Sequence, residues 1–346
     1  MESVAQFVIP DFYAKCPWTR KLSKHFLEIK AESDAWVESF CPFNDEGLEG
    51  LRRINCALLG CHLYATLDKE LIRLGCDLMA LFYVLEEYTD VANHDETSKI
   101  CEIVMDALRD PRKARPDGEH VVGVISKDFS TRLSKYPPPG DKCLERFICD
   151  IDDYLSAVVE EARIRSRGQH SSFQDFFKIR LYTVGCKPTC GICEFGLDLP
   201  VEVLSHPKIQ AIRENAPYLM AITNDIYSFA MERSRGGGLA SHNSVELIMA
   251  EKNLDVQAAI EWLERGVSKV VDTFLDDINS LPSWGNKVDQ KVKIYVDGVA
   301  QVLRGADDWS YESRRYFGNK GLEVQKSRVM TTTLLSPKDW QGNVMG

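Results

Sequence analysis

The chain has 346 residues, 44% of them hydrophobic and 27% charged, which is typical of a globular protein and excludes an intrinsically disordered one. Its net charge of -10 argues against sequence-independent nucleic-acid binding, which needs a basic surface. No run of about 18 apolar residues predicts a membrane span, and the N-terminus lacks the pattern of a secretory signal. We therefore expect a cytoplasmic protein whose 11 cysteines are reduced thiols.

The predicted elements are almost all helices, separated by short breaks rich in Gly, Pro, Asp and Ser. Strand-like alternation is scarce, and no glycine-rich phosphate-binding motif follows a strand, which argues against a nucleotide-binding α/β fold. We predict a single all-α domain over residues 1–346, with a mobile tail from about residue 328; nothing in the sequence indicates an oligomeric state. The clearest helical periodicities cover residues 69–89, 97–109, 143–164, 172–185, 207–233, 243–253, 255–280 and 287–304.

The first of these helices is apolar over residues 71–85 and ends in the sequence EEYTD. Glu86 and Asp90 are four residues apart and share a helix face, with Phe82 and Tyr83 one turn earlier on that face. Two interpretations are open: hydrated acids at a helix end, or a carboxylate pair at the mouth of an aromatic pocket. In the second case the carboxylates suit Mg²⁺ and the aromatic faces suit a carbocation.

Basic side chains in two later segments are candidate anion ligands. Arg180 lies in an apolar helical segment that breaks near Gly185, and Arg315 directly precedes Tyr316. The planar arginine side chain matches phosphate oxygens, and the tyrosine hydroxyl adds a donor. Helical arginines commonly pair with local acids instead, so neither position alone defines a binding site.

The segment 217–233 contains the sequence NDIYSFAME, in which oxygen-bearing side chains recur every fourth residue at Asn224, Ser228 and Glu232. At about 100° per residue the three positions share one helix face. The segment is otherwise apolar nearly all round, which is typical of a buried helix whose polar groups need partners. The stripe is either a hydrated face of an amphipathic helix or a set of hard oxygen ligands for Mg²⁺.

Together these segments resemble the class I terpene cyclases, and most closely the fungal sesquiterpene synthases. The resemblance in motif order and spacing extends from about residue 80 to residue 318. The family's Asn-Asp-x-x-Ser-x-x-x-Glu motif is matched in full by NDIYSFAME, and its aspartate-rich motif is matched imperfectly by EEYTD. Arg180 matches the diphosphate-sensing arginine, and Arg315 with Tyr316 matches the terminal Arg-Tyr pair. Aromatic positions that line the family's pocket are matched by Phe82, Tyr83 and Trp309.

The resemblance implies a bundle of antiparallel helices around a deep apolar pocket, the class I terpenoid synthase fold. It implies a lyase that binds a prenyl diphosphate, with farnesyl diphosphate as the expected substrate, together with three Mg²⁺ ions. Two of these ions would be held by Glu86 with Asp90. The third would be chelated by Asn224, Ser228 and Glu232.

By the same resemblance, Arg180, Arg315 and Tyr316 would bind the diphosphate, while Thr183 and the carbonyl near Val184 would couple its recognition to ionisation. The metals would act as Lewis acids on the leaving group. The aromatic side chains of Phe82, Tyr83 and Trp309 would shape the prenyl chain and stabilise cations. The product would be a sesquiterpene hydrocarbon or alcohol, with release of diphosphate.

One departure from the family pattern concerns the first metal-binding position, which is normally aspartate and is Glu86 here. The extra methylene matters because Mg²⁺ demands tight octahedral geometry. A catalytically inactive helical protein that binds diphosphate is therefore an alternative. A chain-elongating prenyl transferase is another, since it shares the all-α fold, although such enzymes carry a second aspartate-rich motif where this chain has Asn, Ser and Glu.

Two further patterns point to other chemistry and are set aside. Cys186, Cys190 and Cys193 have the spacing C-x3-C-x2-C of some iron–sulfur ligands, but they follow a helix and no βα alternation surrounds them. Residues 150–153, with the sequence DIDD, imitate the acid motif of cyclases that protonate an alkene. Here we expect them to form the hydrated face of an amphipathic helix.

Overall fold

A computed structural model describes residues 3–137, 142–167, 172–234 and 243–334. Within these residues the chain forms fifteen α-helices and two short β-strands, which confirms the predicted all-α class. The helices are α1 (Phe26–Glu38), α2 (Asp45–Ile54), α3 (Cys56–Leu63), α4 (Lys69–Thr89), α5 (His94–Arg109), α6 (Val121–Leu133), α7 (Cys143–Ser166), α8 (Phe173–Thr183), α9 (Cys186–Gly191), α10 (Val201–Leu204), α11 (Pro207–Ser234), α12 (Ser244–Lys252), α13 (Val256–Asn279), α14 (Asn286–Glu312) and α15 (Gly321–Ser327). The strands are β1 (Ser3–Val8) and β2 (Val329–Leu334).

The buried apolar side chains of the described residues form a continuous core between these helices. Helix α4 is buried on nearly all sides and packs against α1, α3 and α6. Helix α11 packs against α13 and α14, and α14 returns to α3. The α4 and α11 helices therefore both run through the interior, where polar side chains on them have to find partners or a ligand.

The start and the packing of α4 follow from two local features. The side chain of Asp68 caps its N-terminus by accepting a hydrogen bond from the backbone N–H of Leu71 at 3.0 Å. One turn further, the ring of Tyr64 lies so close to Gly75 that a Cβ atom there would come within 2.1 Å of Tyr64 Cε2. Glycine thus allows α3 and α4 to pack closely, which places the acidic end of α4 beside the site described below.

The predicted helical segments correspond to α4, α5, α7, α8, α11, α12, α13 and α14, with one large difference in extent. Helix α14 does not end near residue 304 but continues to Glu312. Its polar residues there are buried in pairs: Arg304 Nη2 donates to Asp308 Oδ1 at 2.8 Å, and Tyr227 OH donates to Asp307. The apolar periodicity therefore ends near residue 304, although the helix itself continues to Glu312.

The two strands were not predicted. β1 and β2 pair antiparallel, with Val8 opposite Val329, and the N–H of Ile9 donates to the carbonyl of Arg328 at 2.7 Å. Residues 329–334, assigned to a mobile tail in the sequence-based prediction, thus form a strand, and the remainder of that predicted tail lies outside the described residues. Phe7 of β1 packs edge-on against Phe229 of α11, with ring centroids 5.8 Å apart.

The expectation that residues 150–153 form a hydrated face is wrong for Asp150. Its side chain is only 12% exposed and accepts a hydrogen bond from Arg213 Nη2 of α11 at 3.1 Å. The cysteines carry no disulfide, and Cys186 Sγ lies 3.8 Å from Cys190 Sγ inside the helical core. In the part of the chain that the structure describes, every helix is too short or too polar to cross a membrane.

Candidate active site

A cavity of about 300 Å³ opens between α4, α7, α8, α11 and α14. Twelve of the thirteen predicted site residues line it: Phe82, Tyr83, Glu86, Asp90, Arg180, Thr183, Val184, Asn224, Glu232, Trp309, Arg315 and Tyr316. Ser228 is the exception. It is only 2% exposed and lies one layer behind the cavity wall. The spacing of the motifs thus predicted one shared site from segments that lie far apart in the chain.

The acidic wall of the cavity is the C-terminal end of α4. Glu86 keeps 42% of its side-chain surface because it faces the cavity, and its nearest cationic partner is Arg315, whose Nη2 is 3.9 Å from Glu86 Oε2. Burial by the surrounding protein raises the pKa of Glu86, although Arg315 and Arg180 oppose the rise. Asp90 is exposed, but loss of hydration beside the cavity wall, reinforced by the charges of Glu86 and Glu161, raises its pKa to about 7. A cation placed between these carboxylates would relieve their mutual repulsion.

Sequence reasoning missed two residues of α7 that complete this wall. Glu161 lines the cavity opposite the end of α4 and adds a third carboxylate to it. Arg165, one turn further along α7, donates from Nη2 to the backbone carbonyls of Thr89 at 2.7 Å and Ala92 at 3.2 Å. It therefore fixes the end of α4 by binding its free carbonyls. The only available signal was an i,i+4 Glu–Arg pair, which is common on hydrated helices.

On the opposite wall, α11 presents the amide of Asn224 to the cavity. Its Oδ1 accepts from Arg180 Nη2 at 2.7 Å, and its Nδ2 donates to Tyr316 OH at 2.8 Å. Two turns along the helix, burial raises the pKa of Glu232, and the nearby Ser228 hydroxyl and the hydrogen bond from Asn243 partly offset this rise. The predicted stripe is thus a buried polar surface with specific partners and not a hydrated helix face.

Asp225, which lies between the predicted ligands Asn224 and Ser228, has a structural role instead. It is 2% exposed, and its Oδ1 accepts from Arg180 Nε at 2.9 Å. Its Oδ2 accepts from the backbone N–H of Ser244 at 3.1 Å and from the hydroxyl of Ser244 at 2.5 Å. Burial alone would lower the pKa of Arg180, but the carboxylates of Asp225 and Glu161 outweigh it and keep the side chain charged. Asp225 therefore orients Arg180 towards the cavity.

The Arg-Tyr pair after α14 closes the cavity mouth. Arg315 Nε is buried and has no hydrogen-bond partner among the described residues. The hydroxyl of Thr183, where α8 ends, is likewise buried and unpartnered. The chain turns there at Gly185, whose φ of +67° favours glycine, and a Cβ atom at this position would lie 3.3 Å from Phe82 Cε2. Unpaired buried donors at the mouth are suited to a ligand that brings acceptor oxygens.

Below the mouth the cavity becomes apolar and aromatic. Phe82 packs against Tyr154 with ring centroids 4.8 Å apart, and Trp309 meets Tyr316 edge-on at 5.6 Å. The indole N–H of Trp309 donates to the carbonyl of Ile54 at 2.9 Å, which holds its ring in place. Aliphatic side chains complete the floor: Leu59, Leu63, Met79, Val158 and Met220.

The charges of the cavity lining argue for bound cations. Five carboxylates and three arginines line it within the described residues, so the lining is net negative when all are ionised. An anionic substrate would be repelled unless metal ions accompany it. No three His, Cys, Asp or Glu side chains form a closed metal cage in the described chain. The two facing oxygen sets instead fit Mg²⁺, which keeps waters and completes its shell with phosphate oxygens.

Comparison with known proteins agrees with this geometry. A family model described as "Terpene synthase family 2, C-terminal metal binding" matches residues 77–273. The sesquiterpene synthase Agr9 of Cyclocybe aegerita is 52% identical over 94% of this chain and 87% of its own length. A Δ(6)-protoilludene synthase of Stereum hirsutum is 38% identical over 93% of this chain and 86% of its own.

Solved structures support the fold. A crystal structure of α-eudesmol synthase superposes with a TM-score of 0.76 at 17% identity, covering 86% of this chain and 98% of that one. Hedycaryol synthase in complex with HEPES gives a TM-score of 0.74 at 20% identity, covering 88% and 99%.

The chain belongs to the terpene synthase family and has the class I terpenoid synthase fold. The predicted resemblance to fungal sesquiterpene synthases is confirmed by the fungal relatives. Membership of a metal-binding family also agrees with the oxygen-bearing side chains on α4 and α11.

Proposed function

We propose that the protein converts farnesyl diphosphate to a cyclic sesquiterpene hydrocarbon or alcohol and releases diphosphate. One observation carries this proposal: acidic and amide side chains of α4 and α11, arginines, and a group of apolar and aromatic side chains line one cavity. Such a site binds a charged diphosphate at one end and an apolar chain at the other. The sesquiterpene synthases among the relatives support a fifteen-carbon substrate.

Three Mg²⁺ ions, when bound, would act as Lewis acids that neutralise the diphosphate as it leaves. Glu86 and Asp90 would hold two of them, and Asn224, Ser228 and Glu232 the third. Ser228 lies deepest of the five, and its hydroxyl donates to the carbonyl of Asp225 at 3.4 Å. Because the hydroxyl is the donor in this bond, its oxygen lone pairs are left for a cation.

Arg180, Arg315 and Tyr316 would bind the diphosphate oxygens. Arg180 is held by Asp225 and Asn224, and the Arg315 Nε–H has no acceptor among the described residues. Thr183, where α8 ends, adds a hydroxyl that is likewise without a partner in the described part of the chain. These donors would favour the departing diphosphate, which carries one more negative charge than the bound ester, and this is the condition for accelerating ionisation.

The cation left in the cavity would be shaped and shielded by Phe82, Tyr83 and Trp309. Tyr83 packs edge-on against Phe43 at 5.9 Å, so its ring is fixed from behind. Fixed aromatic faces stabilise positive charge and exclude water, which would otherwise end the reaction early. The shape of the apolar wall would then determine which carbon atoms of the prenyl cation bond to each other.

The test is an assay of the purified protein with Mg²⁺ and farnesyl diphosphate, followed by its shorter and longer homologues, with analysis by gas chromatography–mass spectrometry. We expect a cyclic product that disappears with EDTA and in Glu232→Ala. The matched control is Glu214→Ala on the same helix. Glu214 is 61% exposed and pairs with Lys187 outside the cavity, so this variant should retain activity.

Two outcomes would overturn the proposal. Longer prenyl diphosphates, formed only when isopentenyl diphosphate is added, would identify a chain-elongating transferase. No turnover of any prenyl diphosphate, with diphosphate binding retained, would identify an inactive binding protein, and Glu86→Asp would then test whether the longer carboxylate is the cause.

A further inference from the structure

We propose that Asn243, the residue preceding α12, is a positioning residue that orients the Glu232 carboxylate and the Ser228 hydroxyl for the metal bound by α11. This inference rests on the proposed function and adds to it a residue outside the motif of α11. Asn243 is only 1% exposed and does not line the cavity, so it would act through its neighbours.

The amide nitrogen of Asn243 is directed at α11. Nδ2 donates to the backbone carbonyl of Asp225 at 2.8 Å and to Glu232 Oε2 at 3.0 Å, and it lies 3.4 Å from Ser228 Oγ. One side chain thus contacts three residues of α11, two of which, Ser228 and Glu232, belong to the predicted ligand set. An amide has only two N–H donors, so the two short contacts are the strong ones and Ser228 keeps most of its freedom.

The orientation of this amide is determined by its surroundings. Asn243 Oδ1 accepts from the backbone N–H of Val245 at 2.8 Å, which caps α12. A flipped amide would point its NH₂ at that N–H and its oxygen at the Glu232 carboxylate, two repulsive contacts. The amide nitrogen of Asn243 therefore bonds to α11, and its amide oxygen bonds to α12.

The two carboxylate oxygens of Glu232 would therefore have different roles. Oε2 accepts the N–H of Asn243, and we assign Oε1 to the cation. Outer-sphere partners of this kind orient metal ligands, and their loss typically lowers metal affinity about 10- to 100-fold. Without the amide, the carboxylate of Glu232 could turn about its flexible side chain and would have to be ordered when the metal binds.

The competing explanation is that Asn243 only caps α12. The two roles use different atoms, and Asn243→Ser separates them. Serine is also a preferred N-cap, so it keeps an oxygen for the N–H of Val245, but it is too short to reach Glu232 while it caps. Asn243→Ala removes both functions. Asn44→Ser makes the same change at an exposed cap, where Asn44 Oδ1 accepts from the N–H of Gly47 at 3.0 Å.

The experiment measures binding of Mg²⁺ with inorganic diphosphate, by calorimetry and by the thermal shift they induce, together with the Mg²⁺ dependence of turnover. We expect Asn243→Ser to need about 10- to 100-fold more Mg²⁺ in all three measurements. Its metal-free melting temperature should fall less than that of Asn243→Ala, because the cap on α12 is kept. Asn243→Ala should show the same Mg²⁺ shift with a lower melting temperature, and Asn44→Ser should show no Mg²⁺ shift.

An Asn243→Ser variant with wild-type Mg²⁺ dependence would overturn the positioning role, and a loss confined to melting temperature in Asn243→Ala would assign the residue to capping alone. A wild-type protein that binds Mg²⁺ and diphosphate but turns over no prenyl substrate would instead contradict the proposed function and leave the positioning role standing.

Discussion

The two walls that would hold metal ions are built differently. On α11, the proposed ligands Asn224 and Glu232 already have specific hydrogen-bond partners. On α4, neither the Glu86 nor the Asp90 carboxylate accepts a hydrogen bond from any described residue, and the nearest cation to Glu86 is 3.9 Å away. One site is preorganised by the protein, whereas the other would be organised by its metal and substrate.

This difference explains how a departure from the family pattern can be accommodated. Glutamate in place of aspartate at position 86 lengthens a ligand on the loosely held wall, where the side chain faces the open cavity. The same change of length on the α11 wall would break contacts that hold Glu232 in place. The predictions below test this contrast, beginning with the largest expected effect.

The first prediction removes the charge that anchors the preorganised wall. Asp225→Asn leaves the Arg180 guanidinium without its carboxylate, and breaking a buried pair costs about 3–5 kcal/mol in free energy of unfolding. Chemical denaturation measures this loss. Asp272→Asn breaks an exposed pair with Lys15 and should cost about 1 kcal/mol or less. Equal effects in the two variants would contradict the special role of Asp225.

The second prediction changes the geometry of the side chain at Arg180 and keeps its charge. Arg180→Lys loses the planar fork that reaches Asp225 and Asn224 together. A hydrogen bond to a charged group is worth about 1.5–3 kcal/mol, so we expect kcat/KM to fall roughly 10- to 150-fold. Steady-state kinetics measure the fall. Kinetics like those of the wild type would mean that Arg180 acts only as a point charge.

The third prediction compares the walls directly by shortening one ligand on each. Glu232→Asp would lose its 3.0 Å contact with Asn243 and should raise the Mg²⁺ concentration for half-maximal activity by about tenfold or more. Glu86→Asp should change it by about threefold or less, since Mg²⁺ and its waters can adjust there. Titration of activity with Mg²⁺ measures both values. A larger increase in Glu86→Asp than in Glu232→Asp would refute the contrast between the walls.

The smallest expected effect concerns the apolar part of the cavity. Trp309→Phe removes the hydrogen bond to the carbonyl of Ile54, worth about 1 kcal/mol of stability. It leaves both metal walls intact, so the Mg²⁺ requirement should not change. The product mixture should change, because the ring is free to move. Gas chromatography–mass spectrometry checks this, and an unaltered mixture would exclude Trp309 from shaping the prenyl chain.

Local patterns predicted much of the fold and most of the site. Helical periodicity located α4 and α11, because buried helices carry long apolar runs interrupted only where polar groups have partners. The i,i+4 spacing of Asn224, Ser228 and Glu232 placed them on one face, because helix geometry alone decides which residues are neighbours. Periodicity failed at the end of α14, where Asp307 and Asp308 are buried in pairs that only other elements supply.

The sequence by itself therefore determined eight of the helices, the stripe of oxygen-bearing side chains on α11 and the family to which the chain belongs. Tertiary structure alone decided which outside residues complete each wall: Glu161 and Arg165 on α7, and Asn243 before α12. It also decided that β1 pairs with β2, which lie at opposite ends of the described chain. The physical reason is that helix geometry acts between residues a few positions apart, whereas these contacts join residues that only the folded bundle brings together.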